Sequence, residues 1–268
     1  MTDSGRKARI VLISGMVGII SVMFTIISDL ILLGRPESGY SFFLLPTECM
    51  TWIPGWRITL GTFLGVFMLP FQIAGLVPLY IGLKPSGKAI PAVTGLIGSH
   101  GLIMGVAFHT TYAFMAGGWK LYHSAAGSVS LTTGSETGSF IGSGTGSLTA
   151  GSGAGGISSG PVSGSPSSLM RDFEFYWKLI IIIMVTELIL LSVLYIVTVL
   201  RGKSLFPKWM AILSPAAIVA AVVLVLLALP APVGGYAAPT MLNLSNLTFF
   251  IISASVIYRK LKHEAARA

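Results

Sequence analysis

The stretch Lys178–Leu191, KLIIIIMVTELILL, sets a single carboxyl, Glu187, in the middle of an unbroken apolar run. A soluble helix alternates apolar and polar faces every three to four residues, whereas this one is apolar all round. Such a run belongs in a bilayer, and an ionisable group inside it calls for a partner or a role.

Composition extends that reading to the whole chain. Of 268 residues, 53% are hydrophobic and only 10% charged, and the mean hydropathy is +0.84. A soluble domain carries about a quarter charged residues, so the chain is read as a membrane protein. Cys49 is the sole cysteine, which excludes an internal disulfide framework. The net charge of +8 does not indicate a nucleic-acid partner, because the basic residues cluster at the ends of apolar segments.

Six segments approach or exceed the roughly 20 residues needed to span a hydrocarbon core: 10–33, 58–83, 90–116, 175–200, 210–229 and 236–258. The expected fold is therefore an all-α integral membrane bundle of six transmembrane helices forming one polytopic domain. The first segment follows Arg6, Lys7 and Arg9 as a signal peptide would, but its apolar run is too long and lacks a small-residue cleavage site, so it is expected to be retained. Basic residues mark the cytoplasmic side. The N-terminus, the Lys84–Lys88 turn, the Arg201–Lys208 turn and the C-terminal tail hold 12 of the 17 Lys and Arg residues. Both termini are expected in the cytoplasm, in a bacterial or archaeal cell membrane.

Between the third and fourth segments, residues 127–168 are dominated by Gly, Ser and Thr, as in TGSETGSFIGSGTGS. This composition buries too little apolar surface to offset its ordering entropy, which predicts a long, flexible outer loop. No sequence repeat relates the two halves.

Most apparent motifs have ordinary explanations. GLKPSGKA, Gly82–Ala89, nearly spells a phosphate loop but ends in Ala89 where magnesium needs a hydroxyl, and it joins two apolar segments rather than a strand to a helix. The sequons at Asn243 and Asn246 fall inside the sixth segment. Gly61 with Gly65, and Gly101 with Gly105, have the spacing that lets helices approach closely. Trp52, Trp56, Trp119, Trp177 and Trp209 lie at expected helix ends, as interfacial rings do. Pro207 suits the first turn of the fifth helix. His100 and His109 are nine positions apart, about 900° around a helix, so they point to opposite faces and cannot ligate one metal or haem together. No metal ligand set and no cofactor is expected.

The remaining intramembrane polar groups form the candidate site. Threading from a cytoplasmic N-terminus puts Asp29 and Arg57 near the outer surface, His109 about two turns below it and Glu187 about three turns below it. Asn243 and Asn246, three apart on one face, reach similar depth. The expectation is an outward-facing polar pocket with Glu187 and His109 at its floor, an Asp29–Arg57 pair near its mouth, and the two Asn on its wall. Interhelical hydrogen bonding, at about 0.6 to 2 kcal/mol per contact, is the competing explanation.

With GKSLFPKWMAILSP at Gly202–Pro215, SDLILLG at Ser28–Gly34, WRITLGTFLGVFMLPFQIAGLVPLY at Trp56–Tyr80 and PTMLNLSNLTFFIIS at Pro239–Ser253, the chain resembles an uncharacterised family of small multi-pass membrane proteins, mostly bacterial. The resemblance leaves out the Gly/Ser segment, which is longer than the family would have. It implies that Asp29, Arg57, Glu187, Lys203, Trp209 and Asn243 are family positions, and it implies no chemistry.

The expected function is to bind, or to bind and move, a small amphipathic or lipid-like molecule, with the bilayer as the chain's constant partner. Two other readings remain: a membrane enzyme in which Glu187 and His109 exchange protons with a lipid substrate, and a structural or assembly subunit whose polar residues join helices.

Overall fold

A computed structural model describes residues 3–35, 52–132 and 166–267, and every regular element among them is helical. Helix α1 runs Asp3–Leu33 and α2 Gly55–Met68. A 3-10 stretch, Leu69–Leu76, then leads into α3, Val77–Leu83. Helix α4 is Ala89–Thr132 and α5 is Pro166–Leu200. Next come a 3-10 turn at Lys208–Leu213, α6 at Pro215–Ala228, α7 at Val233–Ala237, a 3-10 turn at Ala238–Thr240 and α8 at Met241–Arg267. The centre of the Gly/Ser segment, 133–165, lies outside the described residues, while its two ends continue α4 and begin α5 as helix.

Among the described residues, five helical stretches are long and apolar enough to cross a membrane: Asp3–Leu33, Gly55–Ser86, Ala89–Leu121, Arg171–Leu200 and Val233–Arg267. The expected fifth segment departs from this pattern. Its α-helix begins at Pro215, capped by the Ser214 hydroxyl, which accepts from the Ala217 N–H at 3.4 Å. The 14 residues of α6 extend about 21 Å, short of a hydrocarbon core of about 30 Å. Pro207 starts the preceding 3-10 turn, not an α-helix.

Glycines fix the central crossings. A Cβ on Gly18 would lie 2.4 Å from the Cα of Gly75, so α1 and the second span touch backbone to backbone. Gly61 accommodates Leu32, and Gly65 accommodates Ser28 and the His109 ring. Gly15 faces Ala254 of α8, and Asn243 of α8 reaches Asp29, so α1 and α8 run antiparallel.

These contacts define two ends. At one, the Leu205 N–H donates to the Gly82 carbonyl at 2.7 Å and Lys260 donates to the Leu205 carbonyl at 3.2 Å. At the other, the Arg35 N–H donates to Gly235 at 3.5 Å, and Trp177 packs on Phe108 with ring centroids 5.8 Å apart. Trp177 is buried, so it is a core residue and not an interfacial ring. Trp52, Trp56 and Trp209 are exposed.

Two apolar clusters follow this division. The larger includes Val11, Val22, Leu83, Tyr195, Phe206 and Ile257; the smaller gathers Leu32, Leu33, Tyr112, Met115 and Trp177. Along α1, the polar residues Thr25, Ser28 and Asp29 lie between them, all buried.

Candidate functional site

The second span breaks where polar side chains gather. Pro70 and Pro78 lack the N–H groups that would continue the α-helical ladder, and the intervening turns tighten to 3-10 geometry. Ser21 of α1 donates its hydroxyl to the Met68 carbonyl at the start of this break. Ser28 donates to the Gly61 carbonyl at 2.5 Å. Backbone groups loosened in a low-dielectric interior need such donors.

Gln72 lies within the break and is wholly buried. Its Nε2 donates to Thr25 Oγ1 at 2.9 Å and to Asn243 Oδ1 at 3.1 Å. Asn243 Nδ2 in turn donates to Asp29 Oδ2 at 2.7 Å. The other carboxylate oxygen, Oδ1, is 3.3 Å from His109 Nε2. A continuous chain, Thr25–Gln72–Asn243–Asp29–His109, therefore ties α1, the helix break, α8 and α4 together. Its members are 0 to 7% exposed. Two atoms in it, Gln72 Oε1 and His109 Nδ1, have no hydrogen-bond partner among the described residues.

Arg57 is not paired with Asp29. Its Nε donates to the Ile31 carbonyl at 2.6 Å, and one terminal nitrogen donates to Gly34 at 2.6 Å and Leu30 at 3.3 Å. Leu30 and Ile31 are in the last turn of α1 and Gly34 is just beyond it, at the helix's negative dipole end, where carbonyls lack i+4 donors within the helix; the Leu30 carbonyl also accepts from the Gly34 N–H at 3.2 Å. Arg57 is thus a C-terminal cap, and Asp29 is in the packed core instead of at a pocket mouth.

Glu187 is also separate from His109. Its Oε1 is hydrogen-bonded to His100 Nδ1, with the His100 side chain 52% exposed and the Glu187 side chain 16%. Glu187 Oε2 has no partner among the described residues and lies over Gly101, where a Cβ would be 3.3 Å away. Leu96 and Ile103, one turn either side of His100 on α4, and Leu190, one turn beyond Glu187 on α5, are exposed neighbours on this face. The pair consequently opens sideways on an apolar surface. Glu187 is about 20 Å along α5 from Leu200 by helical rise.

The six expected site residues thus divide three ways. Asp29, His109 and Asn243 join one buried network, Glu187 sits behind the exposed His100 ring, and Arg57 caps a helix. Asn246 is half-buried on α8 and takes no part in the network. Sequence reasoning missed Gln72 and Thr25, and it set His100 aside. Ser21, Thr25 and Asp29 recur every four residues on one face of α1, and Gln72 stands between two prolines; those spacings were the available signal. The cavities are apolar: a groove of about 500 Å³ runs between α6 and α8, past Ala217, Ala221, Val225 and Leu244, with Thr248 as its polar wall.

The model of a family of unknown function (DUF6796) matches residues 1–141 and 166–260. The interruption falls inside the Gly/Ser-rich segment. No curated protein and no solved structure matches the chain.

Proposed function

The chain belongs to this family of unknown function, and from that premise we propose that it is a multi-pass cell-membrane protein that binds a small amphipathic or lipid-like molecule entering from the bilayer, with His100 and Glu187 meeting the molecule's polar head. The observation that carries this reading is the carboxylate–imidazole pair turned toward the apolar surface of α4 and α5. A polar group facing hydrocarbon is costly unless something satisfies it. With Nδ1 donating to the Glu187 carboxylate, the exposed His100 ring presents Nε2 as an acceptor, which suits a hydroxyl-bearing head. The exposed side chains of Leu96, Ile103 and Leu190 would line its tail. The buried Asp29 network is packed too closely for such a ligand, which moves the site from the expected outward-facing polar pocket to this lateral face.

In this proposal the segment from Lys208 through α6 completes a sixth passage, both termini are cytoplasmic, and the Gly/Ser segment is outside. Supporting that orientation, Lys84, Lys203, Lys208 and the basic tail follow the bundle end at which Leu205, Gly82 and Lys260 meet. A second reading, a membrane enzyme, draws on the same pair: His100 Nε2 would accept a proton from a bound hydroxyl while Glu187 holds Nδ1 and orients the ring.

Native mass spectrometry of gently extracted protein tests the proposal. Wild type is expected to retain a discrete small-molecule or lipid adduct that folded Glu187→Gln and His100→Ala lose. Equal adducts on all three, or none on any, would overturn it. Chemical change of the isolated adduct on return to wild type, but not to Glu187→Gln, would select the enzyme.

A further inference from the structure

Beyond ligand binding at the lateral face, the buried network carries a different chemistry. Thr25, Gln72, Asn243 and Asp29 bring three neutral oxygen-bearing groups and one carboxylate into contact within a volume closed to solvent. Among the described residues no three His, Cys, Asp or Glu side chains gather, so a transition metal lacks its ligands. Oxygen donors with one negative charge instead match a hard cation. Charge decides its valence: a single positive charge balances Asp29, whereas a divalent ion would leave a net charge buried among apolar side chains.

The geometry is suited to such an ion. Gln72 Nε2 sits 2.9 Å from Thr25 Oγ1 and 3.1 Å from Asn243 Oδ1, so two oxygens already converge on one point. The Gln72 amide has its oxygen unpartnered among the described residues and the whole side chain is buried. Terminal amide torsions are broad and nearly two-fold, so a half-turn of this group brings a third oxygen to 2.9 and 3.1 Å from the other two, neighbouring oxygens close enough to share one small ion between them. The Thr25 hydroxyl already donates to the Ser21 carbonyl at 3.0 Å, which leaves its lone pairs directed inward. His109 Nε2 holds the opposite oxygen of Asp29 and so fixes the carboxylate's direction.

The location supports the same conclusion independently. Gln72 is in the 3-10 break of a membrane-spanning stretch. Irregular backbone within such a stretch is tolerated where it is buried in protein or lines a cavity, and interrupted helices are a recurrent setting for coordinated monovalent ions. We propose that Thr25, Gln72, Asn243 and Asp29 form an intramembrane site for a sodium-sized monovalent cation at the break of the second span, with His109 as a positioning residue.

Thermal unfolding of the full chain in detergent, followed by tryptophan fluorescence at constant ionic strength and pH, tests this with sodium, potassium and choline chlorides. Sodium is expected to raise Tm saturably by about 3 °C or more over choline, with potassium weaker. Asp29→Asn should abolish the sodium response. Should Asp29→Asn fail to fold, Gln72→Met and Thr25→Val serve instead, each shifting the half-saturating sodium concentration about tenfold upward. Equal Tm in the three salts would overturn the site, as would a full sodium response in Asp29→Asn or in both of the other variants.

Discussion

His100 and His109 stand on the same helix and meet different carboxylates: His109 Nε2 lies 3.3 Å from Asp29 in the buried core, while His100 bonds Glu187 on the outer face. The nine-residue separation puts the rings on opposite sides of α4. One helix therefore serves two polar sites with different surroundings, and their energetics should differ accordingly.

Removing Asp29 leaves Asn243 and His109 without their shared acceptor in a sealed interior. Asp29→Ala should destabilise the folded bundle by about 3 to 5 kcal/mol, the usual effect of breaking a buried pair. Glu187→Gln keeps a hydrogen-bond acceptor beside His100 and should change stability by less than about 1 kcal/mol. Thermal unfolding of both variants in detergent checks the contrast, and equal losses would contradict the division into core and surface sites.

Gly18→Ala should be among the most damaging glycine substitutions, because its Cβ would sit 2.4 Å from the Gly75 backbone and neither helix can yield locally. A loss of at least about 2 kcal/mol is expected. Gly117, in α4, has nothing within 4 Å of a built Cβ. Gly117→Ala should be neutral or stabilising by about 0.5 to 1 kcal/mol through reduced backbone entropy. Reversal of that order would show that the α1 crossing is looser than described.

Arg57→Lys should not preserve the α1 cap. A guanidinium fork spans the carbonyls of Ile31, Gly34 and Leu30 at once, and an ammonium cannot reproduce that geometry. We expect Arg57→Lys and Arg57→Met to lower stability similarly, by about 2 kcal/mol. A fully stable Lys variant would mean that charge alone suffices.

Reporter fusions after Lys88, after Lys203 and at the C-terminus should all report the same compartment, and a fusion within 133–165 should report the opposite one. A C-terminus on the far side would show that α6 and its preceding 3-10 turn do not traverse the bilayer.

Deleting 133–165 should leave expression and thermal stability unchanged, because the family match stops at 141 and resumes at 166 and Gly/Ser-rich composition contributes little buried apolar surface. Loss of folded protein after the deletion would assign the segment a structural role.

The helical class and the membrane environment were legible in uninterrupted apolar runs such as residues 179–186, where composition alone dictates the solvent. The small residues at Gly61 and Gly65 were readable as a close-packing face, and Gly87, with φ of 108°, forms the tight turn that the near-phosphate motif disguised. Partner choice was less legible. Asp29 and Arg57 share a depth, yet one turns into the bundle and the other caps a helix end; depth along a helix does not determine the neighbour across it. Threading puts Glu187 and His109 at similar depth, yet Glu187 meets His100, about 13.5 Å along α4 from His109 by helical rise.

The sequence by itself determined which segments are apolar enough to enter a bilayer, where the basic turns fall, and that His100 and His109 face apart, because each follows from local composition and helical periodicity. Only the tertiary structure decided that Gln72 and Thr25 complete the Asp29 network, that His100 rather than His109 partners Glu187, and that the fifth segment shortens to α6. Those outcomes depend on helix rotation and on glycine-sized gaps between elements distant in sequence, such as Gly18 against Gly75, where a displacement of one methyl group changes which side chains meet.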